Sequence, residues 1–294
     1  MANTQYGAVL IDLDGTLLGR DNKTIPLANV DAIKAAHTNF GVDVVLASGR
    51  YSPSLEPYSD QLAIQGCPLI CLNGMVKSAR ENGARHSLWH SYIPTQFMKD
   101  FINYSNGRNA AKKQIYLQCF IHDENTQQEI LYSLDDKTSK EYAEIYAANS
   151  GSEFKFVSSF QELDMGKILK LIMLDKDPSL IDLIQGEFKC NGYTPLQIVR
   201  TYQGSDKRPA QLEIMNMSKG QAVEKLAGLL RIDRKKIIAI GDGDNDVEML
   251  KAAGLGVVVA NATQKAKEAA GYTTSKNNEE GGVAEAINKF ILSS

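Results

Sequence analysis

Two kinds of apolar pattern alternate over residues 1–75. Residues 6–11 form a short continuous apolar run that ends at Asp12, the mark of a strand buried on both faces of a parallel sheet. After Pro26, which suits a first helical turn, Leu27, Val30, Ile33 and Ala36 recur at helical spacing. Residues 42–47 read as a second buried strand and 68–72 as a third. From residue 219 onward the alternation returns, with helices at 219–230 and 247–253 and strands at 237–240 and 255–259. Strand and helix in turn predict an α/β fold, a doubly wound and mostly parallel sheet.

Between these stretches the pattern changes. Val76-Lys77-Ser78 and Leu88-Trp89-His90 flank Asn82-Gly83, a dipeptide that favours a tight hairpin turn. Residues 114–122 alternate as a strand, with 129–133 able to pair with it across Asp123-Glu124-Asn125. Strands follow at 167–174, 196–202 and 210–215, with a helix over 178–189. This predicts an α+β module with an antiparallel sheet, inserted over residues 84–209 into a core formed by 1–83 and 210–294. Tyr116, Phe120 and Trp89 are expected as core aromatics of the insert's sheet.

Composition narrows the classes. The 294 residues are 43% apolar and 23% charged, enough for a real core in one large or two ordinary domains. A net charge of −3 speaks against a protein organised around nucleic-acid phosphates. No run approaches the ~20 apolar residues of a spanning helix, so no membrane role is expected. The N-terminal run Ala8-Val9-Leu10-Ile11 is cut short by Asp12, so no secretory segment is expected. Cys67, Cys71, Cys119 and Cys190 are too sparse for a disulfide scaffold, and buried reduced thiols in a cytoplasmic protein are the expectation. The pattern carries no signal for oligomeric state.

Chemistry gathers where strands end. In Ile11-Asp12-Leu13-Asp14-Gly15-Thr16, carboxylates two apart in extended chain face the same way, at the edge where open α/β sheets bind ligands. A turn-capping aspartate explains Asp14 but not Asp12, since an aspartate closing a buried strand wants a partner or a metal. Ile240-Gly241-Asp242-Gly243-Asp244-Asn245-Asp246 also follows a strand, and with Glu248 it holds four carboxylates. A helix start favours an acidic group by ~0.3–1 kcal/mol, but this many at one strand end calls for a cation. An EF-hand fails because its Gly and Glu positions hold Val247 and Ala253. A dinucleotide fingerprint fails because Asp246 stands where the third glycine belongs. An oxygen-ligand site for a hard cation such as Mg²⁺ remains.

Two segments supply what a phosphate needs. Ala47-Ser48-Gly49-Arg50 offers a hydroxyl, a bare backbone and a guanidinium, and Ser218-Lys219-Gly220 opens a helix with a lysine. That lysine opposes the helix dipole and makes sense facing carboxylates. Each like-charge pair at ~4 Å costs on the order of 4 kcal/mol at an effective dielectric of ~20. A phosphate can therefore approach Asp12, Asp14, Asp242 and Asp246 only with a divalent metal and Lys219 to offset them. The combination selects metal-assisted phosphoryl chemistry.

These residues resemble a known family. Asp12-Leu13-Asp14-Gly15-Thr16-Leu17-Leu18, Ser48-Gly49-Arg50, Ser218-Lys219-Gly220 and Gly241-Asp242-Gly243-Asp244-Asn245-Asp246 look like the four motifs of the haloacid-dehalogenase-like superfamily, in order and on the expected strand ends. The large insert and Leu72-Asn73-Gly74 are similar to its Cof-type sugar-phosphatase branch. The resemblance implies a phosphatase acting on small phosphorylated metabolites, sugar phosphates above all. It implies Asp12 as nucleophile and Asp14 as acid and base. It implies Mg²⁺ held by the Asp12 carboxylate, the Asp14 carbonyl and Asp242, with Asp246 either binding the ion itself or supporting the residues that do. Ser48, Gly49, Arg50, Asn73 and Lys219 would hold phosphate or substrate, with Asn245 supporting Lys219 or the phosphate. Ser48 stands where the branch commonly has threonine, and the hydroxyl is kept.

Two other readings stay open. A phosphomutase or phosphotransferase would pass the phosphoryl group to a sugar hydroxyl, which product analysis distinguishes. A receiver-like signalling module also combines acidic strand ends, Mg²⁺ and a lysine, but it is small and needs no insert. The remaining signals are plain. His86-x₃-His90 lacks a third metal ligand, and Lys112-Lys113 and Arg234-Lys235-Lys236 read as solvated charge.

Overall fold

The computed structural model describes residues 4–110, 116–150, 154–190, 196–205 and 209–293. The chain divides into two compact units, Met1–Trp89 with Ser218–Ser294, and His90–Met217.

The first unit begins with β1 (Ala8–Asp12), α1 (Leu27–Phe40), β2 (Asp43–Ala47), α2 (Glu56–Leu62), β3 (Leu69–Cys71), β4 (Met75–Lys77) and β5 (Ser87–Trp89). The second unit then runs α3 (Thr95–Ala110), β6 (Tyr116–Asp123), β7 (Gln128–Leu134), α4 (Lys137–Ser150), β8 (Phe154–Val157), β9 (Ile168–Asp175), α5 (Pro178–Cys190), β10 (Gln197–Tyr202) and β11 (Ala210–Met215). The chain returns to the first unit with α6 (Lys219–Leu230), β12 (Ile237–Gly241), α7 (Val247–Ala252), β13 (Leu255–Val258), α8 (Gln264–Ala269), β14 (Tyr272–Thr273) and α9 (Gly282–Ile287).

The first sheet has the order β14-β13-β12-β1-β2-β3-β4-β5. Strands β14 to β3 are parallel, and β4 and β5 extend the sheet antiparallel. Every residue of β1 is buried, because alternate side chains enter two different cores. Val9 and Ile11 pack with Ile33 of α1 and Ile287 of α9, whereas Ala8 and Leu10 pack with Val223 of α6 and Met249 of α7. Apolar layers on both faces explain why the strands read as unbroken apolar runs. At the hairpin between β4 and β5, Asn82 (φ 51°) and Gly83 (φ 82°) take the left-handed conformations that a tight turn requires.

The second sheet has the order β10-β11-β9-β6-β7-β8, antiparallel except where β8 joins β7 in parallel. One face carries Leu117, Cys119, Leu171, Met173, Leu212 and Ile214 against Phe97, Phe101 and Phe188 of α3 and α5.

The unit borders differ from the expected 84 and 209. Val76 and Lys77 of β4 pair with Trp89 and Ser87 of β5, so residues 84–89 belong to the first sheet. β11 lies between β10 and β9, so 210–217 belong to the second unit. Trp89 accordingly packs against the core of the first unit, not in the insert's sheet, with Lys225 Nζ 5.6 Å from its ring centroid. Cys67, Cys71 and Cys119 are buried, and burial pushes the Cys67 thiol up to about 11. Lys112, Lys113 and the first two residues of the strand expected from 114, as well as the Cys190 side chain, lie outside the described residues. No helix among the described residues is long and apolar enough to cross a membrane.

Candidate active site

β1 and β12 are adjacent parallel strands with Ile11 beside Ile240, so Asp12 and Asp242 emerge at the same edge of the sheet. The turn after β1 brings them closer. Gly15 has φ +85°, and a Cβ there would lie 2.5 Å from Asp242 Oδ2, so only glycine lets the loop pass. The next residue, Thr16, is fully buried and donates its hydroxyl to Asp242 Oδ1 at 2.7 Å.

Lys219 begins α6, capped by Ser218 and Gln221, whose side chains exchange bonds with each other's backbone amides. At Gly220 an added Cβ would lie 2.8 Å from Glu248 Cβ, so glycine allows α6 to approach α7 closely. Lys219 is 1% exposed. Its ammonium donates to Asp12 Oδ1 and, at 2.7 Å, to Asp246 Oδ1. The other oxygen of Asp246 accepts the amides of Asp242 at 3.0 Å and Gly243 at 2.9 Å, which folds the loop after β12 around it.

One oxygen from each of Asp12, Asp242 and Asp246 fits within a 4.8 Å span. Two buried carboxylates, Asp12 and Asp246, thus share one lysine, with the half-buried Asp242 beside them. Burial first, and then the neighbouring Asp246 carboxylate, push the carboxyl of Asp12 well above its ordinary range, against the pull of Lys219. The same causes push Asp242 up to about 6. Burial alone would lower Lys219, but Asp12 and Asp246 outweigh it and hold the ammonium above the usual lysine range. Clustered hard oxygen donors with more negative than positive charge are the donor set a Mg²⁺ ion takes, so the residues fit such an ion.

Ser48 follows β2 and is 1% exposed, its Oγ accepting the Arg50 amide at 3.1 Å. The neighbouring turn is bound to it. Leu72 N–H donates to the Arg50 carbonyl at 2.8 Å and Asn73 N–H to the Ser48 carbonyl at 2.9 Å. Leu72 and Asn73 have φ values of 50° and 61°, an arrangement rare for leucine that stores strain beside the site. The space over Gly49 is bounded by the Asn73 side chain, 3.1 Å from where a Cβ would stand. Asn73 Oδ1 in turn accepts Asn245 Nδ2 at 3.4 Å. Asn245, expected to support Lys219 or the phosphate, thus bonds Asn73 beside Gly49.

Asp14 and Arg50 pair with each other. Arg50 Nε donates to Asp14 Oδ2 at 2.9 Å, and Nη2 donates to the other oxygen. The Asp14 side chain is 44% exposed and is not one of the three clustered carboxylates. Residues that sequence reasoning passed over complete the edge. Asn261 Nδ2 donates to the Gly15 carbonyl at 2.8 Å, the Thr263 amide donates to the Asp242 carbonyl at 2.8 Å, and its hydroxyl donates to Asp244. The available signal was position, since Asn261-Ala262-Thr263 follows β13 shortly beyond the same edge.

A family model described as haloacid dehalogenase-like hydrolase matches residues 9–287. The chain is 28% identical to the phosphatase YwpJ of Bacillus subtilis, covering 93% of this chain and 96% of YwpJ. It is 27% identical to YwtE of the same organism, a 5-amino-6-(5-phospho-D-ribitylamino)uracil phosphatase, over 96% and 97%. The crystal structure of TM0651 from Thermotoga maritima superimposes with a TM-score of 0.77 at 26% identity, covering 97% of each chain. The family match spans Asp12, Ser48, Lys219 and Asp242 together, and on that ground this chain is an enzyme that belongs to the haloacid dehalogenase-like hydrolases.

Proposed function

We propose that the chain is a cytoplasmic, Mg²⁺-dependent phosphomonoesterase for small phosphorylated metabolites of the sugar and sugar-alcohol class, acting through an aspartyl-phosphate on Asp12. The observation that carries this reading is the buried Lys219 ammonium bridging Asp12 and Asp246 beside Asp242. A nucleophilic carboxylate, a cation for the phosphoryl oxygens and a donor set for a divalent metal then occupy one place.

The Asp12 carboxylate attacks phosphorus, the bond from phosphorus to the leaving oxygen breaks, and Asp14 gives that oxygen its proton. A water then attacks the phosphorus of the aspartyl-phosphate and passes a proton to Asp14, which frees Asp12 and inorganic phosphate. Ser48 Oγ, the Gly49 amide and Lys219 hold the phosphoryl oxygens, and Asn73 and Asn245 border them. Asp12, Asp242 and the Asp14 carbonyl would hold the ion, and Asp246 has lone pairs left over from its present bonds with which it would join or support them. When bound, Mg²⁺ supplies charge that stabilises the phosphoryl oxygens in the transition state.

The relative that acts on a ribityl phosphate supports an alkoxide leaving group on a polyhydroxylated carbon chain. The unit His90–Met217 carries none of the four motifs, and we assign it the choice among leaving groups. The test is rapid acid quench during turnover of a sugar phosphate, followed by mass spectrometry of the Asp12 peptide. A phosphoryl adduct on Asp12 that is absent in Asp12→Asn is the expected result. Phosphate release that survives in Asp12→Asn, with no adduct in the parent enzyme, overturns the reading.

A further inference from the structure

The geometry points to Arg50 as a positioning residue that fixes where the Asp14 carboxylate stands, on the open side of the buried cluster where a leaving oxygen departs. This rests on the reading of Asp14 as the proton donor. A phosphoryl group on Asp12 has Lys219 and the carboxylates on its inner side, so its leaving oxygen faces outward. Asp14 is the carboxylate on that side, its side chain 44% exposed where that of Asp12 is 6% exposed.

Nothing in the Asp14 backbone locks its side chain. The residue sits in a non-helical turn (φ −83°, ψ 115°) before Gly15 at φ 85°. Arg50 is the anchored partner, its side chain 11% exposed. Besides the two-point contact with Asp14, Nη2 donates to the Asn22 carbonyl at 3.0 Å and Nη1 to the Tyr58 hydroxyl at 3.4 Å. The guanidinium carbon lies 5.8 Å from the Tyr58 ring centroid. Its main chain is tied on both sides by Ser48 Oγ and the Leu72 amide. A planar fork fixed at its base orients a carboxylate in two directions at once, and a lysine cannot. The motif places Arg50 among the residues expected to hold phosphate or substrate, and in the structure its fork bonds Asp14. An arginine serving phosphate directly would act on every substrate alike. An arginine serving Asp14 matters only where the leaving group needs a proton.

The experiment compares Asp14→Asn, Arg50→Ala, Arg50→Lys and Arg50→Ala/Asp14→Asn with the parent enzyme. Substrates are p-nitrophenyl phosphate, whose leaving group hardly needs a proton, and glucose 6-phosphate, whose alkoxide does. Inorganic phosphate serves as inhibitor, and melting temperatures are recorded throughout. Arg50→Ala is expected to lower kcat on glucose 6-phosphate by roughly 10–100-fold more than on p-nitrophenyl phosphate, within the range of general acid catalysis. Arg50→Lys keeps the charge, so it should hold the phosphate inhibition constant within about 3-fold while keeping most of the leaving-group defect. The double variant should match Asp14→Asn alone. Equal losses on both substrates with weakened phosphate inhibition would assign Arg50 to the phosphate and overturn the inference. So would a double variant whose loss is the product of the single losses. If Arg50→Ala fails to fold, Arg50→Lys and its double with Asp14→Asn carry the same comparison. An Asp14→Asn variant without leaving-group dependence refutes the proton-donor reading instead, while the additivity result still decides whether Arg50 acts through Asp14.

Discussion

At the strand ends of the first unit, Asp12, Asp242 and Asp246 crowd around the single ammonium of Lys219. In the middle of the second unit's sheet, Lys170 meets Glu213 at 2.7 Å, and Gln211 donates to the same carboxylate oxygen at 2.7 Å. Lys219, Asp12 and Asp246 are buried, as are Lys170, Glu213 and Gln211, while Asp242 is half-buried. Lys170 and Glu213 are diagonal neighbours on adjacent strands, facing Met215 and Ile172, so the ladder itself brings opposite charges together. The first set comes from three different strand-to-helix junctions, and its negative charge exceeds its positive charge. Opposite charges paired across a ladder can serve the fold alone, while a cluster left short of positive charge suits the cation and anionic substrate proposed for it.

Substitutions that treat the two sets alike should break that contrast or sharpen it. The largest effect expected is in Asp12→Asn, with phosphate turnover falling by about 10⁴-fold or more while circular dichroism stays unchanged. Retained turnover would make the cluster structural, like Lys170–Glu213. Next comes Lys219→Met, which keeps side-chain volume. Turnover should fall by about 10²–10³-fold, and urea unfolding in EDTA should show a loss of about 3–5 kcal/mol, the usual effect of breaking a buried ion pair. Millimolar Mg²⁺ should recover part of that stability, because it restores positive charge among the carboxylates; no recovery would remove the cluster as its binding place.

In the second unit, Lys170→Met should also destabilise by about 3–5 kcal/mol, but adding Glu213→Leu should recover most of it, since an apolar pair can replace a buried ionic one. A double variant no better than the single would mean the pair does more than neutralise itself. Metal removal gives a smaller signal. A site occupied at 100-fold over its Kd adds about 2.7 kcal/mol, or roughly 5–10 °C in a chain of this size. The parent melt should shift with Mg²⁺ and that of Asp242→Asn should hardly move.

The smallest effect is expected away from both sets. Burial would raise the Glu285 carboxyl, but the Ser275 amide and hydroxyl, the Tyr272 hydroxyl and the Lys276 amide outweigh it and hold the group below its ordinary range. A depressed pKa stabilises the fold above the unfolded value of about 4.3 and loses that stability as pH falls through the folded value. Glu285→Gln should therefore melt about 2–4 °C lower at pH 7, with the gap closing below about pH 4. A constant gap across pH would assign the effect to packing.

Short-range features were legible from the chain alone. The apolar runs of β1, β2 and β12, the helix that Lys219 opens, and the left-handed turn at Asn82-Gly83 depend on residues within a few positions of one another. So does the acidic loop after β12, and strand, turn and helix are decided mostly at that range. Charge arithmetic over the same motifs grouped Asp12, Asp14, Asp242 and Asp246 with Lys219, and the structure brings Asp12, Asp242 and Asp246 together around the lysine while Asp14 pairs with Arg50. What only the tertiary structure decided are pairings across long stretches of chain. Those pairings set the unit border beyond β11, whose partners are β10 and β9, and moved Trp89 into the first sheet. They turned Arg50 to Asp14 and Asn245 to Asn73, and set Lys170 against Glu213 inside strands whose apolar alternation gives no warning of charge. A side chain's rotamer and its partner depend on which distant strand lies alongside, and no local pattern carries that information.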